Sequence, residues 1–168
     1  MFSAIVAVDN DWGIGYQGQL LEKISADLKR FKELTSGDNN AVIMGRKTWD
    51  SLPKKPLPNR KNLIVTRHPD LTIDSQIIQG DINMIIYSIL NNHILGDKDY
   101  FVIGGGQIYK ELLPFCEYVY VTKIFNNHDN IDTYFPNLDE DIHWQLVNES
   151  AIQQENNLKF QFCLYKRI

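Results

Sequence analysis

Cysteine is all but missing from this chain. Cys116 and Cys163 are the only two among 168 residues, too few for a disulfide framework and in no metal-ligand spacing, so they read as reduced packing residues of an intracellular protein. Histidine is scarce as well: His68, His93, His128 and His143 are scattered without the paired spacing of a metal site, and no metal is expected. No apolar run is long enough to span a bilayer, and the apolar start at 2–8 has neither a basic leader nor the length of a secretion signal. Together these point to a cytoplasmic protein with no membrane partner. Positive charge is in deficit, with 17 Lys and Arg against 21 Asp and Glu. That balance argues against a nucleic-acid-binding surface, and any anionic ligand must be drawn by a local basic cluster. Repeats, low-complexity tracts and linkers are absent too. What remains, 43% hydrophobic and 23% charged, fits one globular domain over residues 1–168 with a sizeable core.

Strands alternate with helices along the chain. Short apolar, β-branched runs at 2–8, 41–45, 62–66, 77–78, 100–103 and 118–124 read as strands buried on both faces. Ser25 is the expected N-cap of a helix carrying Leu28, Phe31 and Leu34, and 46–51 is a short helix. Asp81 caps a helix with Ile82, Ile85, Ile86, Ile89 and Leu90 that Gly96 closes, and 107–113 is a helix stopped by Pro114. Residues 9–23, with Gly13, Gly15 and Gly18, form a loop long enough to be a lid. The segments 144–149 and 159–166 flank a turn signal at Asn156-Asn157 and suit an antiparallel hairpin at the sheet edge. The pattern predicts an α/β fold, three-layered, with a mostly parallel mixed sheet flanked by helices.

Ligands in such sheets bind beyond the carboxyl ends of the strands. Asp27 lies at the edge of the apolar stripe of its helix, where the carboxylate should point to the packed side; on this stretch alone it also reads as an acid favoured in a first turn by the helix dipole. Gly104-Gly105-Gly106 lets backbone amides approach an anion at a helix start, although Tyr109 stands where the third glycine of the G-x-G-x-x-G fingerprint belongs. Arg46 and Lys47, with Thr66-Arg67 after the neighbouring strand, suit a phosphate monoester. Together they suggest a phosphorylated dinucleotide.

The pieces Gly13-Ile14-Gly15, Ala26-Asp27-Leu28 with Phe31-Lys32, Met44-Gly45-Arg46-Lys47-Thr48-Trp49, Pro56 through Asn62, Ile103 through Tyr109, and Asp132-Thr133-Tyr134-Phe135-Pro136 occur in an order and spacing that resembles the dihydrofolate reductases of the bacterial chromosomal type. The resemblance runs end to end. It implies a mixed eight-stranded sheet, seven strands parallel and the last antiparallel, and NADPH-dependent reduction of dihydrofolate to tetrahydrofolate in a monomer. It places Asp27, Glu22 and Thr122 at the chemistry, Asp27 holding the pterin through its 2-amino group and N3. Ile5, Val6, Leu28, Phe31, Leu52, Ile103, Tyr109 and Thr122 would bound the pterin, and Arg60 with Lys32 would meet the glutamate tail. Ala7, Ile14, Gly15, Gly18, Gln19, Leu20, Gly45, Thr48, Val65, Ile103, Gly104, Gly105, Gly106, Gln107, Ile108, Tyr109 and Thr133 would line the NADPH channel, with Arg46, Lys47, Thr66 and Arg67 around its 2′-phosphate.

Three positions depart from the family pattern. Leu21-Glu22 replaces a usual Pro-Trp pair whose tryptophan orients a water near the pterin carbonyl. Gln107 replaces an arginine found in some relatives, and Ile131 a glycine. Glu22 is expected either to take over that water in a cavity shared with Asp27 or to point to solvent. A reductase of riboflavin biosynthesis and a catalytically dead binding protein are the rival readings; Asp27 beside Phe31 argues against the first.

Overall fold

The computed structural model describes residues 1–91 and 98–168, so the expected helix stop at Gly96 and the side chain of His93 lie outside the described residues. The elements, in chain order, are β1 (Phe2–Val8), β2 (Gly13–Tyr16), β3 (Gln19–Leu20), α1 (Ser25–Thr35), β4 (Asn40–Gly45), α2 (Arg46–Ser51), β5 (Lys61–Val65), β6 (Ile78–Gly80), α3 (Ile82–Leu90), β7 (Asp99–Gly104), α4 (Gly106–Leu112), β8 (Tyr118–Ile124), β9 (Thr133–Tyr134), β10 (Trp144–Glu149), β11 (Gln153–Glu155) and β12 (Leu158–Arg167).

Eight strands form the main sheet in the order β10-β12-β8-β1-β7-β4-β5-β6, with β11 also paired to β12. β1 is flanked by β7 and β8 in parallel register, and β12 alone runs opposite to the other seven strands of that order. Alternation along a strand divides the core. Ala41 and Ile43 of β4 face Ile85, Ile89, Ile108 and Leu112 of α3 and α4, while Val42 and Met44 pack with Trp49 of α2, Ile64 and Phe101. Both faces are covered, which is why these strands read as continuous apolar runs. The hairpin turns at Asn156-Asn157 as expected, both residues adopting positive φ of 50° and 65°.

Three details differ from the sequence reading. Ser25 is not the N-cap of α1: Ile24 holds that position, and the carboxylate of Glu155 on β11 caps the helix, accepting from the amides of Ser25 at 2.7 Å and Ala26 at 3.2 Å. A carboxylate supplies two acceptors and a charge matched to the helix dipole, more than a local hydroxyl offers. Pro114 does not stop a helix at 113. α4 ends at Leu112 and a 3-10 turn, Leu113–Phe115, follows with Pro114 in its first turn, where no amide is needed. The lid segment is not all loop. β2 and β3 pair with each other and β2 with β9 in a small antiparallel sheet. Gly13 packs closely there: a Cβ would lie 2.4 Å from Cδ1 of Ile131, which would have to turn aside.

Candidate active site

Asp27 projects from the first full turn of α1 toward the end of β8. Thr122 Oγ1 donates to its Oδ1 at 2.5 Å. Burial pushes the Asp27 carboxyl above the usual carboxylate range, opposed by the Thr122 hydrogen bond and the nearby Arg30 charge. Arg30 is itself partly desolvated, its guanidinium 4.4 Å from the Phe162 ring centroid and 5.6 Å from that of Tyr120. The apolar stripe beside Asp27 is not packed away: Leu28 is 52% exposed and Phe31 half-buried. A large apolar residue left in water beside a desolvated acid is the arrangement of a binding face rather than a core.

The walls of this cleft come from the face of the sheet that packs against α2. Ile5, Leu52 and Ile103 adjoin the Trp49 cluster, and the Ile5 carbonyl accepts from the Tyr109 hydroxyl at 2.6 Å. Burial raises the Tyr109 hydroxyl far above its ordinary pKa, so it stays a donor. Val6, expected at the substrate, has its side chain in the core on the opposite face, as the period of a strand demands. At the far end of α1, Arg60 donates to Thr35 Oγ1 at 2.6 Å and to the Pro58 carbonyl at 2.7 Å. Its loop is braced by the buried Asn62, which bonds Leu57 twice and the Arg60 carbonyl. No carboxylate of the described residues pairs with Arg60, so its fork is fixed yet unneutralised. Lys32 is exposed nearby in sequence on α1.

Glycine 104 has φ of 111°, and a Cβ there would meet the Tyr109 ring at 3.0 Å. A Cβ on Gly105 would lie 3.6 Å from Thr48 Oγ1, and on Gly106 2.6 Å from Thr133 Cγ2. The turn is bare backbone between two threonines, and α4 and α2 both begin without a side-chain cap. These features suit the phosphates of a dinucleotide. Gly45 abuts Ile108, whose side chain lies in the core, and Val65 packs against that core too. Ile14 is buried, whereas Gly18, Gln19 and Leu20 sit exposed on the β2–β3 hairpin and Gly15 pairs with Thr133. Ala7 is half-buried at the end of β1.

The four basic-cluster residues are not equivalent. Arg46 donates to Asp50 and to Asp70, each at 3.0 Å. Asp70 is held down to about 2 by hydrogen bonds from Thr72 and then from Arg46. The Arg46 charge is thus matched twice, while Lys47 and Arg67 are exposed and make no ion pair among the described residues. Thr66 Oγ1 accepts from the His68 amide at 3.2 Å. Gln107 turns to Glu111.

Glu22 is tied down in a way the sequence did not announce. Its Oε1 lies 3.0 Å from Nε2 of His128, and Nδ1 of the same ring lies 3.0 Å from Oδ2 of Asp9. Asn126 adds a long contact to Glu22 at 3.5 Å. Asp9 is 3% exposed, and its Oδ1 accepts from the amides of Gly13 at 2.8 Å and Asp11 at 3.0 Å. No hydrogen bond joins Glu22 to Asp27 among the described residues. His128 and Asp9 were missed because the contact spans 119 residues and no local pattern marks either partner.

The family model described as dihydrofolate reductase matches residues 1–167. A dihydrofolate reductase of Bacillus subtilis is 34% identical over 99% of this chain and 95% of its own length. A bifunctional dihydrofolate reductase-thymidylate synthase of Glycine max is 36% identical over 99% of this chain, which spans only 34% of that longer protein. Among solved structures, the dihydrofolate reductase of Enterococcus faecalis complexed with NADP(H) and RAB-propyl superimposes with a TM-score of 0.81 at 29% identity, covering 99% of this chain and 96% of that one.

Proposed function

From the premise that this chain belongs to the dihydrofolate reductase family, we propose that it reduces 7,8-dihydrofolate to 5,6,7,8-tetrahydrofolate with NADPH, as a single domain over 1–168 and a cytoplasmic monomer without nucleic-acid or membrane partners. The observation that carries this reading is Asp27: a desolvated carboxylate, held by Thr122, beside the exposed Leu28 of an apolar helix face. Such an acid accepts the paired N–H donors of a pterin edge and, with its pKa raised, favours a protonated neighbour. Ile5, Leu28, Phe31, Leu52 and Ile103 would enclose the ring, and the unneutralised fork of Arg60 would take the glutamate carboxylate.

NADPH, when bound, supplies the hydride that C6 of the pterin receives. Gly104, Gly105 and Gly106, with Thr48 and Thr133 on either side, would hold its pyrophosphate, and Lys47, Thr66, Arg67 and Arg46 its 2′-phosphate. Tyr109 ties α4 to the middle of β1 through the Ile5 carbonyl, so cofactor turn and pterin wall would keep a constant distance. The proton that must accompany the hydride goes to N5 through water beside Asp27, with Glu22 on the lid side. Loss of NADPH absorbance on adding dihydrofolate tests the reading. Oxidation only with a ribosylaminopyrimidine would transfer the chain to riboflavin biosynthesis, and binding without oxidation would leave a non-catalytic binder.

A further inference from the structure

The chain Asp9–His128–Glu22 poses a question of proton counting. A neutral imidazole carries one N–H and can donate to one carboxylate only, yet both ring nitrogens lie 3.0 Å from carboxylate oxygens. Both contacts are satisfied only if the three groups share one more proton than a neutral ring with two ionised acids would hold. Asp9 fixes where that proton sits. Its Oδ1 is taken by the Gly13 and Asp11 amides, so it faces the ring with Oδ2 and orients Nδ1 as the donor. The mobile proton therefore lies between Nε2 of His128 and Oε1 of Glu22.

That pair lies one strand position from the residue that holds Asp27. Glu22 lines a small pocket with Ala7, Ile14 and Leu20. Ala7 is the register partner of Thr122 across β1 and β8, and Thr122 holds Asp27. Resting on the reductase reading above, we infer that His128 is a positioning residue for proton delivery, backed by Asp9, which keeps a proton on the Glu22–His128 pair. Glu22 gives it, through cleft water, to N5 as C6 receives the hydride. The N5–C6 double bond is thereby reduced to a single bond, the electron pair arriving with the hydride. Glu22 is left ionised beside a neutral ring whose one N–H faces Asp9, and the Glu22–Nε2 pair regains its shared proton from solvent.

The surroundings agree. Burial alone would lower the His128 pKa, but hydrogen bonds and charge from Glu22 and Asp9 raise it above the ordinary histidine range. These two acids are the charged groups acting on the ring. On its own loop Asp129 is exposed, and Lys123 on the preceding strand is turned to Asp139 at 2.7 Å.

The test compares parent, His128→Gln, Glu22→Gln and the double variant by single-turnover hydride transfer against pH, with dihydrofolate KM and NADPH affinity measured beside it. In the parent the rate should fall as pH rises through the raised pKa of the His128 ring. In His128→Gln that limb should move to lower pH, with about a tenfold loss above neutrality, binding constants within about twofold, and the double variant no worse than either single. Independently, NMR titration of the His128 ring in otherwise intact protein should show its pKa lowered by about one unit in Glu22→Gln, a measurement that needs no variant of His128 to fold. Superimposable pH profiles in an active parent and His128→Gln, or an unmoved ring pKa in Glu22→Gln, overturn this assignment alone. A parent that does not oxidise NADPH overturns it together with the reductase reading.

Discussion

The small β3–β2–β9 sheet reaches the start of α4 where Thr133 lies against Gly106, yet it and the main sheet are held by a different balance of forces. Ile43, Leu63 and Val102 of the main sheet are at 0% exposure, so what holds its strands together is mainly apolar contact, which carries no titrating group. The small sheet has few ladder positions, and beyond the buried Ile14 its fastenings are polar: the Gln17 amide on Asp132 at 2.8 Å, Asp9 on the Gly13 amide, and His128 between two acids. A rigid platform and a lid whose fastening responds to protons are thereby built from one chain. The platform carries Asp27 and the Gly104–Gly106 turn; the lid carries Glu22.

The largest expected effect sharpens the contrast from the platform side. Leu63→Ala should destabilise by about 3 kcal/mol, read from urea unfolding, with the same loss across the neutral pH range. A strongly pH-dependent loss would break the comparison. Asp27→Asn should cut turnover near neutral pH about a hundredfold while raising Tm. The sign follows from its elevated pKa: the folded state holds this proton where the unfolded chain has released it, so the parent loses stability as pH rises through that window, and the amide removes the loss. A Tm that falls would show the carboxylate to be structural. Next comes cofactor choice. Replacing Lys47 and Arg67 together by alanine should narrow the NADPH over NADH preference in kcat/KM by tenfold or more, on the order of one charge-assisted contact. Arg46→Ala should narrow it less, because Asp50 and Asp70 already match that charge. The reverse ranking would sink that distinction. The smallest effect belongs to the lid: Asp132→Asn should leave the urea midpoint in place but abolish hydrogen-exchange protection of the Gln17 amide.

The same contrast explains what was legible in the sequence. The buried strands announced themselves through continuous apolar runs, and Asp27 through its place on an apolar stripe, because both signals are local. The cap of α1 by Glu155, the pairing of Arg46 with Asp70 and the ring of His128 between Asp9 and Glu22 are made by single polar atoms from distant segments, which leave no period to read. β2, β3 and β9 escaped for a related reason: Gly13-Ile14-Gly15 pairs through backbone and close approach, not through an apolar face. Val6 was placed at the cleft by resemblance, whereas the strand's period turns it to the other side.

Glu155 has a consequence for biosynthesis. It lies 130 residues beyond the Ser25 amide it caps, a delay of about 6 to 26 s at ordinary rates of translation. Over that interval the helix bearing Asp27 leaves the ribosome with its first amides uncapped, and β8 is an open edge until β12 arrives to pair with it. Nascent chains stalled before residue 153 should accordingly recruit chaperones and leave the start of α1 unordered, whereas chains stalled after 168 with a spacer long enough to clear the exit tunnel should show it ordered.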